Sequence, residues 1–335
     1  MTHIDLPISK SIANRLLVLQ AIRGVPLSDF LGRDIPDDVR LMHDALEAIG
    51  NGAQRLDLQN CGTAMRFLTA YCAQLAGKTI VLDGSERMRQ RPIGPLVEAL
   101  RLCGAEIAYL GEEGFPPMRI SGQTLVQPEK LQVDGQVSTQ FISALLLIGL
   151  EVETKHDSPY VAMTGEMLAR WEQGERNIEE RDWSAAAFWY EYVALHGGEL
   201  FLEGLHETDL QGDKTVAEIF EDFGVETRYE EDGVAIRRRE EASLMSYSMS
   251  FRDCPDLYPA VAMTCEQFGI ELHATDTDTL RLKESDRLRA ILEHQTYGDH
   301  RIAMALLAAD LPCDNIECIN KSYPTFYEQL CQLRG

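Results

Sequence analysis

The chain has 335 residues, 45% of them hydrophobic, which is enough for two ordinary domains, each with its own core. Its formal net charge of -23 argues against nucleic acid or an anionic membrane surface as a partner, since both reward a basic face. The longest apolar runs, 141–150 and 302–309, fall well short of the ~20 residues a bilayer span needs, the N-terminus lacks a basic-then-apolar leader, and eight cysteines are scattered without CxxC spacing, so reduced, buried thiols in a cytoplasmic protein are expected.

The predicted elements form a repeat. A short polar or glycine turn runs directly into an Ala/Leu-rich apolar helix, and a more polar helix with apolar residues three and four apart comes later. Ser9-Lys10-Ser11 leads into a helix over 12–22, followed by a second over 37–49. Asn60-Cys61-Gly62-Thr63 leads into 64–76, a strand over 78–82, a helix over 92–103 and, through Gly104, a hairpin of 104–109 with 118–120. Val137-Ser138-Thr139-Gln140 opens 141–150, with 160–171 behind it. Asp182-Trp183-Ser184 opens the fourth copy, which continues through a strand over 199–202, a helix over 214–223 and a hairpin of 224–229 with 234–236. Asp253-Cys254-Pro255-Asp256 starts the fifth, whose second helix is predicted over 284–292, and Gly298-Asp299-His300-Arg301 starts the sixth, which ends on 325–333. Copies one, three and five are short. Gly50 runs almost directly to Asn60, Trp171 to Asp182 and Leu292 to Tyr297, leaving little chain for a hairpin and predicting unpaired strand edges.

A helix N-terminus offers unpaired N–H groups and partial positive charge, so repeating that device around a cleft suggests a substrate with several negative groups. Basic residues gather at these turns: Lys10, Arg15, Arg66, Arg87, Arg89, Arg91, Lys283, Arg287, Arg301 and Lys321, whereas acids fill 172–182 and 226–232. A cationic cleft in an acidic shell attracts small polyanions. Taken singly, Ser11, Ser138 and Asp256 read as helix N-caps, and Lys283 to Arg287 as a solvated helical charge face. His300 has no carboxylate or second histidine at ligand spacing, so it reads as structural and no metal site is expected.

Five stretches carry a family resemblance: Lys10-Ser11-Ile12-Ala13-Asn14-Arg15, Asn60-Cys61-Gly62-Thr63-Ala64-Met65-Arg66, Arg87-Met88-Arg89-Gln90-Arg91-Pro92-Ile93, Arg281-Leu282-Lys283-Glu284-Ser285-Asp286-Arg287 and Asp299-His300-Arg301. Together, and in order from residue 4 to 330, the chain resembles the 5-enolpyruvylshikimate-3-phosphate (EPSP) synthases among the enolpyruvyl transferases. The resemblance implies an α/β fold of two similar domains. Each is built from three repeated units, with buried parallel helices and outer sheets in an inside-out barrel. It implies a discontinuous first domain, 1–8 plus 181–335, a second over 9–180, and an active site in the cleft between them. It also implies transfer of the carboxyvinyl group of phosphoenolpyruvate to the 5-hydroxyl of shikimate 3-phosphate, with release of phosphate and no metal or organic cofactor. A cytoplasmic monomer acting on two small molecules follows, as does sensitivity to glyphosate.

Position by position, the resemblance assigns Lys10, Ser11, Arg15, Ser138, Thr139, Gln140, Tyr160, Asp256 and Lys283 to shikimate 3-phosphate. It assigns Lys10, Asn60, Gly62, Arg87, Gln140, Arg287, Arg301 and Lys321 to phosphoenolpyruvate. Asp256 matches the base at the 5-hydroxyl, and Glu284 or Lys10 the proton donor. Because Lys283 and Arg287 flank Glu284, that carboxyl needs burial or bound substrate to act as an acid at neutral pH. The sequence departs from the family at Phe67 (commonly proline), Thr139 and Asp157 (commonly serine) and Thr279 (commonly asparagine). The alternatives are a UDP-N-acetylglucosamine enolpyruvyl transferase, which the absence of a cysteine between Asp83 and Pro92 disfavours, and a catalytically silent polyanion-binding protein.

Overall fold

The computed structural model describes the whole chain except residues 29, 31–34, 134–136, 155–157 and 240–242. In chain order the elements are β1 (Thr2–Asp5), α1 (Lys10–Arg23), α2 (Asp37–Gly50), β2 (Arg55–Asp57), α3 (Gly62–Ala73), β3 (Thr79–Asp83), α4 (Gly94–Leu102), β4 (Glu106–Tyr109), β5 (Met118–Ser121), α5 (Thr139–Leu147) and α6 (Pro159–Glu172). They continue as α7 (Trp183–His196), β6 (Glu199–Glu203), α8 (Val216–Asp222), β7 (Val225–Glu230), β8 (Gly233–Arg238), β9 (Ser246–Ser250), α9 (Tyr258–Phe268), β10 (Glu271–Thr275), α10 (Arg287–Glu293), α11 (His300–Ala308) and α12 (Phe326–Arg334). Two compact units result. Unit 1 comprises Met1–Lys10, Leu31–Asp37 and Glu179–Gly335, and unit 2 comprises Ser11–Phe30 and Asp38–Ile178.

Each unit holds one four-stranded sheet of the same pattern. In unit 1 the order is β1-β6-β8-β7, with β1 parallel to β6 (Thr2 opposite Leu200) and β8 antiparallel to both β6 and β7. In unit 2 the order is β2-β3-β5-β4, with β2 parallel to β3 and β5 antiparallel to both its neighbours. A repeat is therefore two parallel strands flanking a buried helix, then an outer helix, then a hairpin. The parallel link needs a helical crossover, while each hairpin is entered through a glycine, Gly104 or Gly224, and its strands are joined through 110–117 or 231–232.

The short copies retain only the first half of this pattern. β9 and β10 make a two-stranded parallel sheet, and Gln132 and Glu153 form a single parallel bridge. Among the described residues no strand lies between α6 and α7 or between α10 and α11. β10 therefore presents an edge to solvent where β6 carries β8, and Glu271, His273 and Thr275 alternate outward along it. The sheets are open and are not closed barrels.

Inner helices are buried on nearly all sides and outer ones on a single face. In unit 1, α7, α9 and α11 contact one another, and small residues (Ala185, Ala186, Ala187, Ala260, Ala303, Ala305) let the backbones approach. In unit 2, α1 is buried from Ile12 to Gln20 and α3 packs on α5. Among the described residues no helix is long and apolar enough to cross a membrane.

Candidate active site

In unit 1 the chemistry gathers at the N-terminal ends of α9, α10 and α11. Asp299 sits before α11, 0% exposed, and its carboxylate works in two directions. Oδ1 caps α11 by accepting from Arg301 N at 3.0 Å, and Oδ2 accepts from Arg287 Nε at 2.9 Å. Arg287, itself 1% exposed, then spends Nη1 on Asp256 Oδ1 (2.8 Å) and Pro255 O (3.2 Å), and Nη2 on Glu284 Oε2 (3.5 Å). Arg301 Nη2 reaches Asp256 Oδ2 at 2.8 Å, Lys283 Nζ lies 3.5 Å from Asp256 Oδ1, and Lys321 Nζ lies 3.3 Å from Glu284 Oε1. Asp256 and Glu284 thus stand among Lys283, Arg287, Arg301 and Lys321.

Burial alone would push the Asp256 carboxyl up, but Arg301, Lys283 and Arg287 outweigh it and hold the group well below the usual carboxylate range. Burial lowers the Lys283 ammonium, against the opposing pull of Asp256. Asp213, behind this cluster, is pushed up to about 6 by burial and by the negative charge of Asp256, while a hydrogen bond from Ser184 partly offsets the rise.

Lys10 completes the unit-1 set. Its Nζ lies 3.5 Å from His300 Nε2. An ammonium can only donate, so Nε2 accepts and the ring proton belongs on Nδ1. Burial, then the charges of Lys10, Arg301 and Lys321, hold the His300 imidazole well below its ordinary value, hence neutral.

Two expectations about this cluster are corrected. Lys283, Glu284 and Arg287 do not share a helical turn. A 3-10 turn spans Asp278–Leu282, and α10 begins only at Arg287, because the Asp286 carboxylate takes Arg289 N and stops the helix there. Asp256 does not cap a helix either. α9 starts at Tyr258, and the Asp256 carboxylate is turned to the cations.

In unit 2 the predicted shikimate-phosphate residues sit around the start of α5 and α6. Ser138 caps α5 by accepting from Gln140 N at 3.3 Å, so for this residue the N-cap reading and the ligand reading share one geometry. Thr139 and Gln140 form the first turn behind it. Arg15, on α1, donates Nε to Thr164 Oγ1 (2.8 Å), Nη1 to Ser11 O (2.8 Å) and Nη2 to Ser143 Oγ (3.2 Å) and Tyr160 O (3.0 Å). One Nη1 hydrogen is thereby left for another acceptor. Burial lowers Arg15 to about 10, still protonated at neutral pH. Its guanidinium lies 5.4 Å from the centre of the Phe67 ring, so the departure at Phe67 places an aromatic face beneath Arg15 and α3 remains regular. Tyr160 opens α6 behind Pro159. Asp157 lies outside the described residues.

The predicted phosphoenolpyruvate residues of unit 2 surround the first turn of α3. Cys61 caps it through Sγ, which accepts from Ala64 N at 3.4 Å, and Asn60 precedes it. Gly62 lets two guanidinium groups close in: a Cβ there would come within 2.3 Å of Arg66 Nη1 and 2.7 and 2.8 Å of the two Arg91 Nη atoms, so any side chain must push them aside. Gln140 reaches α3 from α5, accepting from Arg66 Nη1 at 3.1 Å and donating to Thr63 Oγ1 at 3.1 Å. Arg87 stands at the head of a 3-10 turn, Met88–Gln90. That turn is pinned to the end of β3 by Arg89, whose fork grips Asp83 through two 2.9 Å contacts. The Arg89 hydrogen bonds are the main reason the Asp83 carboxyl is lowered.

In the two clusters, four groups stand out that the sequence motifs do not mark as site residues. In the sequence Arg66 and Arg91 are simply basic residues of the motifs, yet both reach Gly62; the spacing from Gly62 to Arg66, one helical turn, is the signal for the first. Asp299 braces Arg287 and carries no signal beyond its motif, and Asp213, which accepts from Ser184 Oγ, lies in none of the motifs. Thr279, at the asparagine position, has a buried hydroxyl without a hydrogen-bond partner. Among the described residues no group of three or more His, Cys, Asp or Glu side chains could hold a metal ion.

Residues 2–294 match the family model described as EPSP synthase (3-phosphoshikimate 1-carboxyvinyltransferase). A 3-phosphoshikimate 1-carboxyvinyltransferase of Bacteroides fragilis is 33% identical over 398 aligned residues, covering 98% of this chain and 94% of the relative. One from Escherichia coli is 30% identical over 426, covering 98% and 96%. Both alignments are longer than this chain, so the relatives carry internal segments that it lacks. The solved EPSP synthase of Acinetobacter baumannii superposes with a TM-score of 0.68 at 23% identity, covering 99% of this chain and 95% of that one, which establishes the shared two-domain inside-out α/β fold.

Proposed function

The chain belongs to the EPSP synthase family, and from that membership we propose that it transfers the carboxyvinyl group of phosphoenolpyruvate to the 5-hydroxyl of shikimate 3-phosphate, releasing phosphate. The observation that carries the residue roles is the pair of carboxylates, Asp256 and Glu284, standing among Lys283, Arg287, Arg301 and Lys321. Each substrate brings a phosphate and a carboxylate, and fixed cations offset the repulsion of bringing them together. Arg287 and Arg301, with planar forks suited to carboxylate or phosphate, take phosphoenolpyruvate together with Lys10, Asn60, Gly62, Arg87, Gln140 and Lys321. Ser11, Arg15, Ser138, Thr139, Gln140, Tyr160 and Lys283 hold shikimate 3-phosphate, with Lys10 and Asp256 also in contact.

In the first half-reaction the 5-hydroxyl oxygen bonds to C2 of phosphoenolpyruvate. Its proton passes to Asp256, and C3 takes a proton from Glu284 or Lys10, giving a tetrahedral adduct. In the second half C3 returns a proton, the C2–O bond to phosphate breaks, and the C2=C3 double bond reforms. Three cations make Asp256 a weak base. Substrate anions compete for those same cations, and as they draw them away the carboxyl rises toward the range in which a base is effective. The base is thus primed by substrate.

The comparisons do not favour the UDP-N-acetylglucosamine enzyme or a silent polyanion binder. We place the reaction in the cytoplasm, where eight free cysteines suit a reducing compartment, and assign it to a monomer, as the family resemblance implies. Purified protein given both substrates should release phosphate continuously, and omission of either should abolish release. Binding of both with no release above background would overturn the proposal.

A further inference from the structure

We propose that Asp182 is a positioning residue for Lys10, holding the backbone end of a lysine whose ammonium is steadied by His300; the proposal rests on the functional reading in which Lys10 touches both substrates. Asp182 is 5% exposed, and its two oxygens serve different elements. Oδ1 accepts from Ala185 N at 2.9 Å, capping α7, while Oδ2 accepts from Lys10 N at 3.0 Å, the first residue of α1. The first amides of a helix have no intrahelical partner, so an acceptor supplied by another element fixes where that helix begins. One carboxylate therefore ties the start of α1 to the start of α7.

The surrounding contacts make this tie rigid. Residues 7–9 and 180–182 run antiparallel through the Ile8–Arg181 bridge, with Ser9 N donating to Glu180 O (2.7 Å) and Asp182 N to Pro7 O (3.0 Å). Gln211 braces the second stretch. Its Oε1 accepts from Trp183 N (3.1 Å), and its Nε2 donates to Glu180 Oε2 (2.9 Å) and Arg181 O (2.7 Å). At the far end of the Lys10 side chain, His300 Nε2 meets Nζ at 3.5 Å, and His300 is only 1% exposed, at the start of α11. A lysine stem is flexible, so fixing its backbone and its tip selects one arrangement from many. Misplacement of a reacting group by ~1 Å can cost about 100-fold in rate.

The test uses full-length protein carrying Asp182→Ser, Asp182→Ala, His300→Gln or His300→Leu. Serine still caps α7 but has a single short acceptor that cannot also serve Lys10 N, so Asp182→Ser separates capping from positioning. We expect Asp182→Ser to lower kcat about 10- to 100-fold with the KM for shikimate 3-phosphate changed by less than about threefold, and Asp182→Ala to add a loss of stability. His300→Gln, which keeps an acceptor for Nζ, should retain several-fold more activity than His300→Leu. Hydrogen exchange at the Lys10 amide should accelerate at least about tenfold in Asp182→Ser. Unchanged kcat in Asp182→Ser beside an active wild type overturns the proposal and leaves the functional reading standing. Unchanged protection of the Lys10 amide overturns it whether or not the wild type turns over, whereas an inactive wild type with accelerated exchange in Asp182→Ser upholds the tie and refutes only the functional reading.

Discussion

Arg287 donates Nε–H to Asp299 Oδ2 at 2.9 Å, with the two side chains 1% and 0% exposed. The other oxygen of Asp299 caps α11, so one buried carboxylate aligns both the guanidinium and the helix that carries Arg301. Asp299→Asn keeps an oxygen for the cap and forfeits the charge, which should cost about 1–3 kcal/mol in urea unfolding. Asp299→Ala also loses the cap and strands part of a buried cation, for a loss of about 3–5 kcal/mol. An Asp299→Asn variant as stable as the wild type would show that the charge pair is not what holds Arg287.

Asp213 provides a pH signature. Its carboxyl is raised from 3.8 to about 6, so the unfolded chain ionises first as pH rises, and stability present below about pH 4 is lost until the folded group ionises near 6. Relative to Asp213→Asn, wild type should lose on the order of 2–3 kcal/mol between pH 4 and 6.5 and little more above that. Thermal unfolding of both proteins across that range measures the difference directly, and parallel curves would contradict the assignment.

Glu191 lies on α7, 0% exposed, with neither carboxylate oxygen hydrogen-bonded among the described residues, and burial raises its carboxyl well above 4.5. Its contribution has the same sign as that of Asp213: stability is lost as pH rises from about 4.5 toward the folded value. Glu191→Met should stabilise the protein by about 1–3 kcal/mol at neutral pH, with a gap that widens as pH rises above 4.5. Calorimetry showing a destabilised variant would mean that the carboxyl has a partner in solution.

Phe67 on α3 lies beneath Arg15 on α1. Phe67→Leu removes a cation–π contact of about 0.5–2 kcal/mol and should raise the KM for shikimate 3-phosphate about 3- to 10-fold. Steady-state kinetics that show a change confined to phosphoenolpyruvate would assign Phe67 to the other substrate.

At Gly62, alanine must displace the Arg66 and Arg91 guanidinium groups. Gly62→Ala should lower kcat/KM for phosphoenolpyruvate at least about tenfold, a loss of roughly 1.4 kcal/mol in transition-state stabilisation, with shikimate 3-phosphate affected less. Isothermal titration with each substrate separates the two effects.

Much of this was legible in the sequence because the repeat marks its own punctuation. Asp182, Ser138 and Asp299 precede apolar runs, and each is found capping the helix that follows. Gly104 and Gly224 precede hairpins for the same local reason: both adopt positive φ. The missing hairpins were visible from spacing alone, and β10 shows the result as an open edge.

What was not legible depends on distance along the chain. The pairing of β1 with β6 joins residues about 200 positions apart, and no local pattern encodes it. The charge run Lys283 to Arg287 looked helical because its spacing permits a helix, but Asp286 diverts its carboxylate to a backbone amide and delays the start. The bracing of Arg287 by Asp299, the contact of Ser184 with Asp213, and the convergence of Arg66 and Arg91 on Gly62 arise only once separate turns are brought together.

Isotope tracing follows the bonds that carboxyvinyl transfer makes and breaks. Phosphoenolpyruvate labelled with carbon-13 at C2 is incubated with shikimate 3-phosphate and the purified protein, and the products are followed by NMR. The label should appear as a vinyl ether carbon on the shikimate 5-oxygen as inorganic phosphate accumulates, and Asp256→Asn should prevent both. Label that stays in phosphoenolpyruvate, or passes to pyruvate without joining the shikimate ring, would contradict the transfer.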